Sequence, residues 1–292
     1  MAEVLQQTVN GVVVGASYAL IASGMTVIFG LMRIVNFAHG EFYMIGAVFM
    51  YYLAMSIGLN FFAAMFLSVV LTMVVGIIVD RLLLRPLRNA PMTSTTLATI
   101  GLSVLLQNLV LVTSGAMPKM INSPFAQAPL EIGSIIISSN RIFAAAVTLI
   151  VIVLADWALN HTSFGRDIRA CFQDRDAAAL VGISVNKVYA ATFTIGAGMA
   201  ALAGSLLGSI FLVYPTMGET AVSKAFTVVI VGGLGNFRGA VVVGLLLGVI
   251  EALAAGYVSA GYKDAIGFIL IVCFLLYQPL SDAWRVRKVR TE

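Results

Sequence analysis

Long apolar runs, each broken by only a few polar positions, fill most of the chain. A helix needs about 20 apolar residues to cross the hydrocarbon of a bilayer, so these runs predict membrane helices. The candidates are 9–31, 38–57, 61–84, 93–113, 142–159, 188–213, 239–257 and 265–280. One further segment, 220–238, is interrupted by Lys224 and by the glycine run at 232–235. It either spans or is a broken, re-entrant helix, which is tolerated only where protein buries it or water lines it. The pattern therefore predicts an all-α, polytopic transmembrane bundle of eight to nine segments. It forms one domain over 1–292, with no linker. No alternation of short strands with turns marks a barrel.

Finer features refine this picture. Gly11 and Gly15, and again Gly204 and Gly208, stand four apart, which makes small faces for close helix packing. Pro86 and Pro91 punctuate a basic loop, and the proline-rich stretch 114–141 reads as extramembrane, with an extended piece at 135–137. Composition agrees, since the chain is 60% hydrophobic and only 10% charged, whereas soluble domains carry roughly 25% charge. The net charge of +4 is an orientation signal here and not a nucleic-acid signal. With the N-terminus outside, the loops at 33, 81–88, 166–187, 238 and 285–290 all fall in the cytoplasm, and they hold most of the 17 basic residues. The C-terminus is then cytoplasmic. The first residues lack a positive n-region, so the first span is expected to remain in the membrane. Cys171 and Cys273 form no disulfide framework.

The longest polar stretch is 160–187. Inside it, Asp174 is a good N-cap, Asp176 suits the first turn of a helix, and Gly182 suits its C′ stop. The two-turn helix between them is too short to stand alone in water. Its apolar face, Ala177, Ala178 and Val181 with Leu180 beside it, must be covered. Either it folds back on the membrane part of the chain, or a soluble partner takes it into a groove. The run from Gly165 through Ala170, then Asp174 to Ala178, then Gly182 to Lys187, resembles the cytoplasmic coupling loop of ABC importer permeases. Within these it is similar to the branched-chain amino acid permease family, specifically the H-type subunit of the Liv system. The resemblance implies that Gly165, Arg169, Asp174, Ala177, Ala178, Leu180 and Gly182 dock on an ATPase.

A second place of resemblance is Asn36, His39 and Gly40 followed by Gly46 and Ala47. With Glu41, these form a polar, small-residue cluster at a break between spans. It suits a gate or translocation wall, or alternatively headgroup-level capping of two helices. Glu251 lies mid-span, where a carboxylate costs about 2.5–3.5 kcal/mol unless protonated, paired or hydrated. It lines a polar path or makes a bundle contact. Gln107 and Asn108 suit interhelical hydrogen bonds, and Asn108 is also a candidate for the path. Asp80 and Asp156, at span ends, read as ordinary interface residues. Gly232, Gly233 and Gly235 lack the Lys-Ser/Thr of a phosphate loop, so they read as an unwound turn or a tight helix crossing, with Gly233 a candidate gate position. No nucleophile–base set or zinc spacing stands out. Any ATP hydrolysis is expected on another polypeptide, and neither enzymatic activity nor a cofactor is expected of this one.

The resemblance implies a bacterial inner-membrane importer subunit. Its partners would be a second permease subunit, two ATPase subunits and a periplasmic solute-binding protein, with membrane lipid around it and no nucleic acid. The substrate would be leucine, isoleucine or valine, or a related amino acid, amide or urea. The alternative is a stand-alone secondary transporter or channel in which Glu251 and the His39–Glu41 pair carry protons.

Overall fold

A computed structural model describes residues 2–125, 129–132, 135–259, 261 and 265–276. In chain order the helices begin with α1 (Ala2–Met32), α2 (His39–Tyr51), α3 (Phe61–Val79) and α4 (Met92–Ser114). A hairpin follows, in which β1 (Pro129–Ile132) pairs antiparallel with β2 (Ile135–Ser138), Pro129 opposite Ser138. Then come α5 (Ser139–His161), α6 (Ser163–Gln173), α7 (Arg175–Leu180), α8 (Val185–Gly208), α9 (Met217–Gly232), α10 (Phe237–Tyr257) and α11 (Ala265–Leu276). One π-helical turn extends α2 over Tyr52–Ser56, and another extends α3 over Asp80–Leu84.

Among the described residues, six helices are long and apolar enough to cross a membrane, namely α1, α3, α4, α5, α8 and α10. The chain is a polytopic helical bundle. Its interior is built from α1, α2 and α8, which are buried nearly all round, while α3, α4, α5 and α10 show most of their surface outward. Small residues let the inner helices touch backbone to backbone. Gly11 and Gly15 of α1 lie against Gly244 and Gly248 of α10, where an added Cβ at Gly15 would sit 2.9 Å from Leu245 Cα. Gly204 of α8 faces the backbone of Tyr43, and Gly208 faces Ala47 and Val213. Both glycine pairs foreseen from spacing are packing faces of this kind.

The bundle has two ends. At one, Gln6 at the start of α1 bonds the backbone of Ile136 in the hairpin at 2.9 Å, and Lys119 pairs with Val213 through backbone bonds of 2.8 Å. At the other lie the end of α1, helices α6 and α7, and the turn before α10, where Gly30 meets Phe172 and Gly235. The start of α1 and the 160–187 segment are thus at opposite ends.

Two expectations need correction. The second apolar run was read as a span starting at 38, yet α2 starts deep inside the bundle, because His39 Nε2 lies 3.1 Å from the carbonyl of Ile21. Residues 33–38 carry the chain back into the body first. Their backbone is satisfied there: Asn36 Oδ1 accepts the Ala38 amide at 3.1 Å, and the Thr99 hydroxyl accepts the Phe37 amide at 3.3 Å. Lys224 does not interrupt 220–238 either, since α9 runs unbroken past it. The irregular piece is 209–216, which leads into α9, and α9 also starts inside the bundle, Gly218 against Gly40. The glycine run ends α9 in a turn, with Gly233 and Gly235 at φ +93° and +81°. The basic run 285–290, Lys263 and the end of the last apolar run lie outside the described residues.

Candidate functional site

The 160–187 segment folds into two helices where one was expected. Thr162 caps α6 by accepting the Gly165 amide at 3.1 Å. Gly165 fits against the backbone of Ala158 and Leu159, where a Cβ would lie 2.5 Å from the Ala158 carbonyl. Arg169 donates to the Leu159 carbonyl and so satisfies the end of α5. Asp174 caps α7, accepting the amides of Asp176 at 2.9 Å and Ala177 at 3.0 Å. Gly182 stands at C′ with φ +88°. The Gly182 amide donates to Ala179 at 3.0 Å and the Ile183 amide to Ala178 at 3.1 Å, which is the complete Schellman pair.

The apolar face of α7 divides in two. Ala178 turns inward and packs with Leu31, Ile168, Cys171, Val188 and Tyr189. Leu180 is 90% exposed and Val181 77%, and Ala177 beside them is exposed too. The sequence had grouped Ala178 with the outward residues. It belongs to the inner face, because the turns on either side fix how α7 is rolled.

A second group lies inside the bundle, where the starts of α2 and α9 meet. Asn36, His39 and Glu41 are 2%, 0% and 1% exposed, buried against the neighbouring helices. A carbonyl can only accept, so His39 carries its proton on Nε2, toward Ile21. Glu41 faces Gly218, and α4 supplies the partners. Ser103 donates to Glu41 at 2.8 Å, and Gln107 donates to Glu219 at 2.8 Å. Thr99, Ser103 and Gln107 stand four apart and therefore share one face of α4. Glu41 Oε2, Asn36 Nδ2 and His39 Nδ1 have no hydrogen-bond partner among the described residues.

One helical turn further along α9, Lys224 Nζ lies 2.5 Å from Glu251 Oε1, with both side chains buried. Tyr18 donates to the other oxygen of Glu251 at 3.0 Å. Asn108 is not brought to these groups, since its amide bonds the Val104 carbonyl of its own helix at 2.8 Å. Gly233 is not either, because it ends α9 at the far end.

A sequence profile of the family described as "branched-chain amino acid transport system / permease component" matches residues 7–275. The chain belongs to this family. The permease is 38% identical over 288 residues to the high-affinity branched-chain amino acid transport system permease protein LivH of Salmonella typhimurium, covering 94% of each chain. It is equally similar to the permease protein BraD of Pseudomonas aeruginosa, with the same coverage. A probable branched-chain amino acid transport permease of Methanocaldococcus jannaschii is 27% identical over 89% of this chain and 86% of its own.

Sequence reasoning missed several polar partners in the permease. Lys224 was read only as an interruption of the 220–238 segment, and Tyr18, Ser103 and Glu219 were not singled out. The available signal was the spacing of Glu219, Ser223 and Thr227 at four-residue intervals around Lys224, a polar helix face within an apolar run. Asp80 was also misread as an ordinary interface residue. It is 1% exposed and binds Arg88 at 2.6 Å, and Arg88 reaches Asn186 at 2.5 Å and stacks over the Tyr189 ring.

Proposed function

We propose that this permease is the membrane subunit of an ABC importer that carries branched-chain or closely related amino acids into the cytoplasm. Separate ATPase subunits supply the energy, a second permease subunit completes the pore, and a periplasmic binding protein delivers substrate. The N-terminus is outside, and α6, α7 and the C-terminus face the cytoplasm. The names of the relatives support the substrate class. One observation carries the coupling role: a helix capped at both ends holds Ala177, Leu180 and Val181 out at a water-facing end of the bundle, where an uncovered apolar face marks a protein contact.

Docked on α7, the ATPase pair shifts the population between inward and outward openings as it closes. α7 passes straight into α8 through Gly182 and Ile183. The start of α8 is clamped to the end of α3 by Arg88 with Asp80 and Asn186. Movement of α7 therefore reaches two long helices at once. Asn36, His39, Glu41 and Glu251 stand along the path or its gate, where the two deep helix starts meet.

The test is Leu180→Asp. It places a charge on the exposed face and leaves the inner face untouched. We expect normal membrane insertion, loss of co-purifying ATPase and at least a tenfold fall in leucine uptake. Wild-type uptake by this variant would remove the docking role. Ala178→Asp also stops uptake, but through unfolding of the α6–α7 unit.

A further inference from the structure

Where α1, α5, α6 and the turn before α10 meet, they enclose a cavity of about 450 Å³, within the roughly 300–1,000 Å³ usual for ligand sites. Three charged side chains line it, Asp156, Arg169 and Arg238, which leaves an excess of one positive charge. Arg238 donates to Asp156 through Nε at 3.1 Å and Nη2 at 3.2 Å. A guanidinium has more donors than these two contacts use, and the Arg238 side chain is 75% exposed at the mouth. The floor is apolar, made of Val27, Leu159, Ile168 and Phe237. The same four residues also line a narrower slot of about 80 Å³, which runs on between α1, α5 and α8. Apart from Thr192, the slot's side chains are apolar. Thr192 Oγ1 is buried and has no hydrogen-bond partner among the described residues. Ile195, 42% exposed, stands where the slot reaches the outside of the bundle between α5 and α8. Ile195 lies about 15 Å along α8 from its start at Val185, at 1.5 Å rise per residue. The slot is therefore at the depth of lipid chains, and the charged mouth is at the end of the bundle.

We propose that the cavity and its slot together hold one anionic phospholipid, with the phosphate on Arg238 at the mouth and one acyl chain in the slot. The opening of the slot selects a lipid. An acyl chain enters it sideways from the bilayer without crossing water, whereas a water-soluble ligand has no use for an apolar slot at that depth. The charge selects an acidic headgroup. Arg238 and Arg169 outweigh Asp156, and basic pockets between membrane helices bind acidic headgroups. An exposed ion pair such as Arg238–Asp156 contributes little by itself, so a phosphate can share the guanidinium at small cost. Thr192 stands nearer the start of α8 than Ile195 does, between the mouth and the deep end of the slot. Its hydroxyl can donate to an ester carbonyl of the lipid, which a purely apolar occupant lacks. Ile168, Arg169 and Phe172 of α6 form one wall of the cavity, so the bound lipid packs α6 against α1 and α10 and steadies the base on which α7 stands. The inference does not depend on what the permease carries.

The test uses the full chain in detergent, titrated with phosphatidylglycerol or phosphatidylcholine of the same acyl chains and read by native mass spectrometry. Glycerol 1-phosphate serves as the headgroup without chains. We expect the first phosphatidylglycerol to bind about fivefold tighter than the first phosphatidylcholine, the effect of one basic residue on an acidic lipid, and glycerol 1-phosphate not to compete. Arg238→Gln should erase the preference and Arg238→Lys should keep it. Asp156→Asn should keep or raise it, because the carboxylate opposes the phosphate, whereas a merely structural ion pair would be lost alike in Arg238→Gln and Asp156→Asn. Ile195→Trp, at an exposed position that tolerates a larger ring, should close the slot and weaken the first lipid of either kind. Equal affinity for the two lipids in the wild type would overturn the site, as would an unchanged preference in Arg238→Gln or its loss in Asp156→Asn. Competition by glycerol 1-phosphate, or unchanged lipid binding in Ile195→Trp, would overturn the place of the acyl chain. Each of these outcomes would leave the ATPase-docked reading to the Leu180→Asp experiment, which does not depend on this cavity.

Discussion

Asp174 shows how much one side chain sets at the coupling end. Its carboxylate takes two amide hydrogens, first that of Ala177 and then that of Asp176, and these hold its pKa below the ordinary carboxylate range. A depressed folded-state value means that the stabilisation is complete above the unfolded value, near 4, and is lost as pH falls through the lower folded value. α7 should therefore stay intact through neutral and mildly acidic pH and fray only in strong acid. Asp174→Ala should fray it at neutral pH, read as faster amide hydrogen exchange at 176–180 with little change in α8. Unchanged exchange would mean that the cap does not hold the helix. Glu251 makes the opposite kind of case, because its partners come from distant parts of the chain. Glu251→Leu removes the carboxylate that the buried Lys224 and the Tyr18 hydroxyl both reach and should cost about 3–5 kcal/mol, whereas replacing both members of the ion pair with apolar residues should cost much less. Thermal unfolding of the two variants in nanodiscs compares them directly.

At the scale of the elements, glycines decide how closely the inner helices approach. Gly204 lies against the backbone of Tyr43, so Gly204→Val must push α2 away from α8. Overpacking of this kind costs about 1–3 kcal/mol, and a lower melting temperature with poorer yield is expected. Gly101 on α4 meets nothing within 4 Å. Gly101→Ala should hold or slightly raise the stability of the isolated chain, because alanine is the better helix former by about 1 kcal/mol. If both substitutions behaved alike, the packing account of the bundle would fail. The same elements explain why α2 and α9 are short. Each starts inside the bundle, so each needs an irregular approach segment whose polar backbone is covered by protein.

For the whole molecule, the consequence is a fixed relation between the two ends. The start of α1 shares an end with the hairpin and with the Lys119–Val213 bridge, and α6 and α7 lie at the other. With Cys273 replaced by serine, a Leu180→Cys variant should react with a membrane-impermeant maleimide only from the cytoplasmic side. A Met120→Cys variant, 67% exposed in the wild-type residue, should react only from outside. Both sites labelling from one side would contradict the arrangement of the bundle, and a swapped pattern would reverse the proposed orientation while leaving the fold intact.

Hydropathy, capping and glycine spacing are local signals, and they carried the sequence a long way. Apolar runs marked the membrane helices because desolvation of each stretch depends on its own composition. Asp174 and Gly182 marked the ends of α7 because caps are made with residues two to four positions away. The close-packing faces at Gly11, Gly15, Gly204 and Gly208 were legible for the same reason. Depth and partnership were not legible. Only the tertiary structure decided that α2 and α9 start within the bundle, that Ala178 faces in while Leu180 faces out, and that Lys224 meets Glu251 and Ser103 meets Glu41. Those outcomes depend on how distant helices roll and slide against one another until every buried polar group that can be paired is paired, and no window of neighbouring residues contains that information.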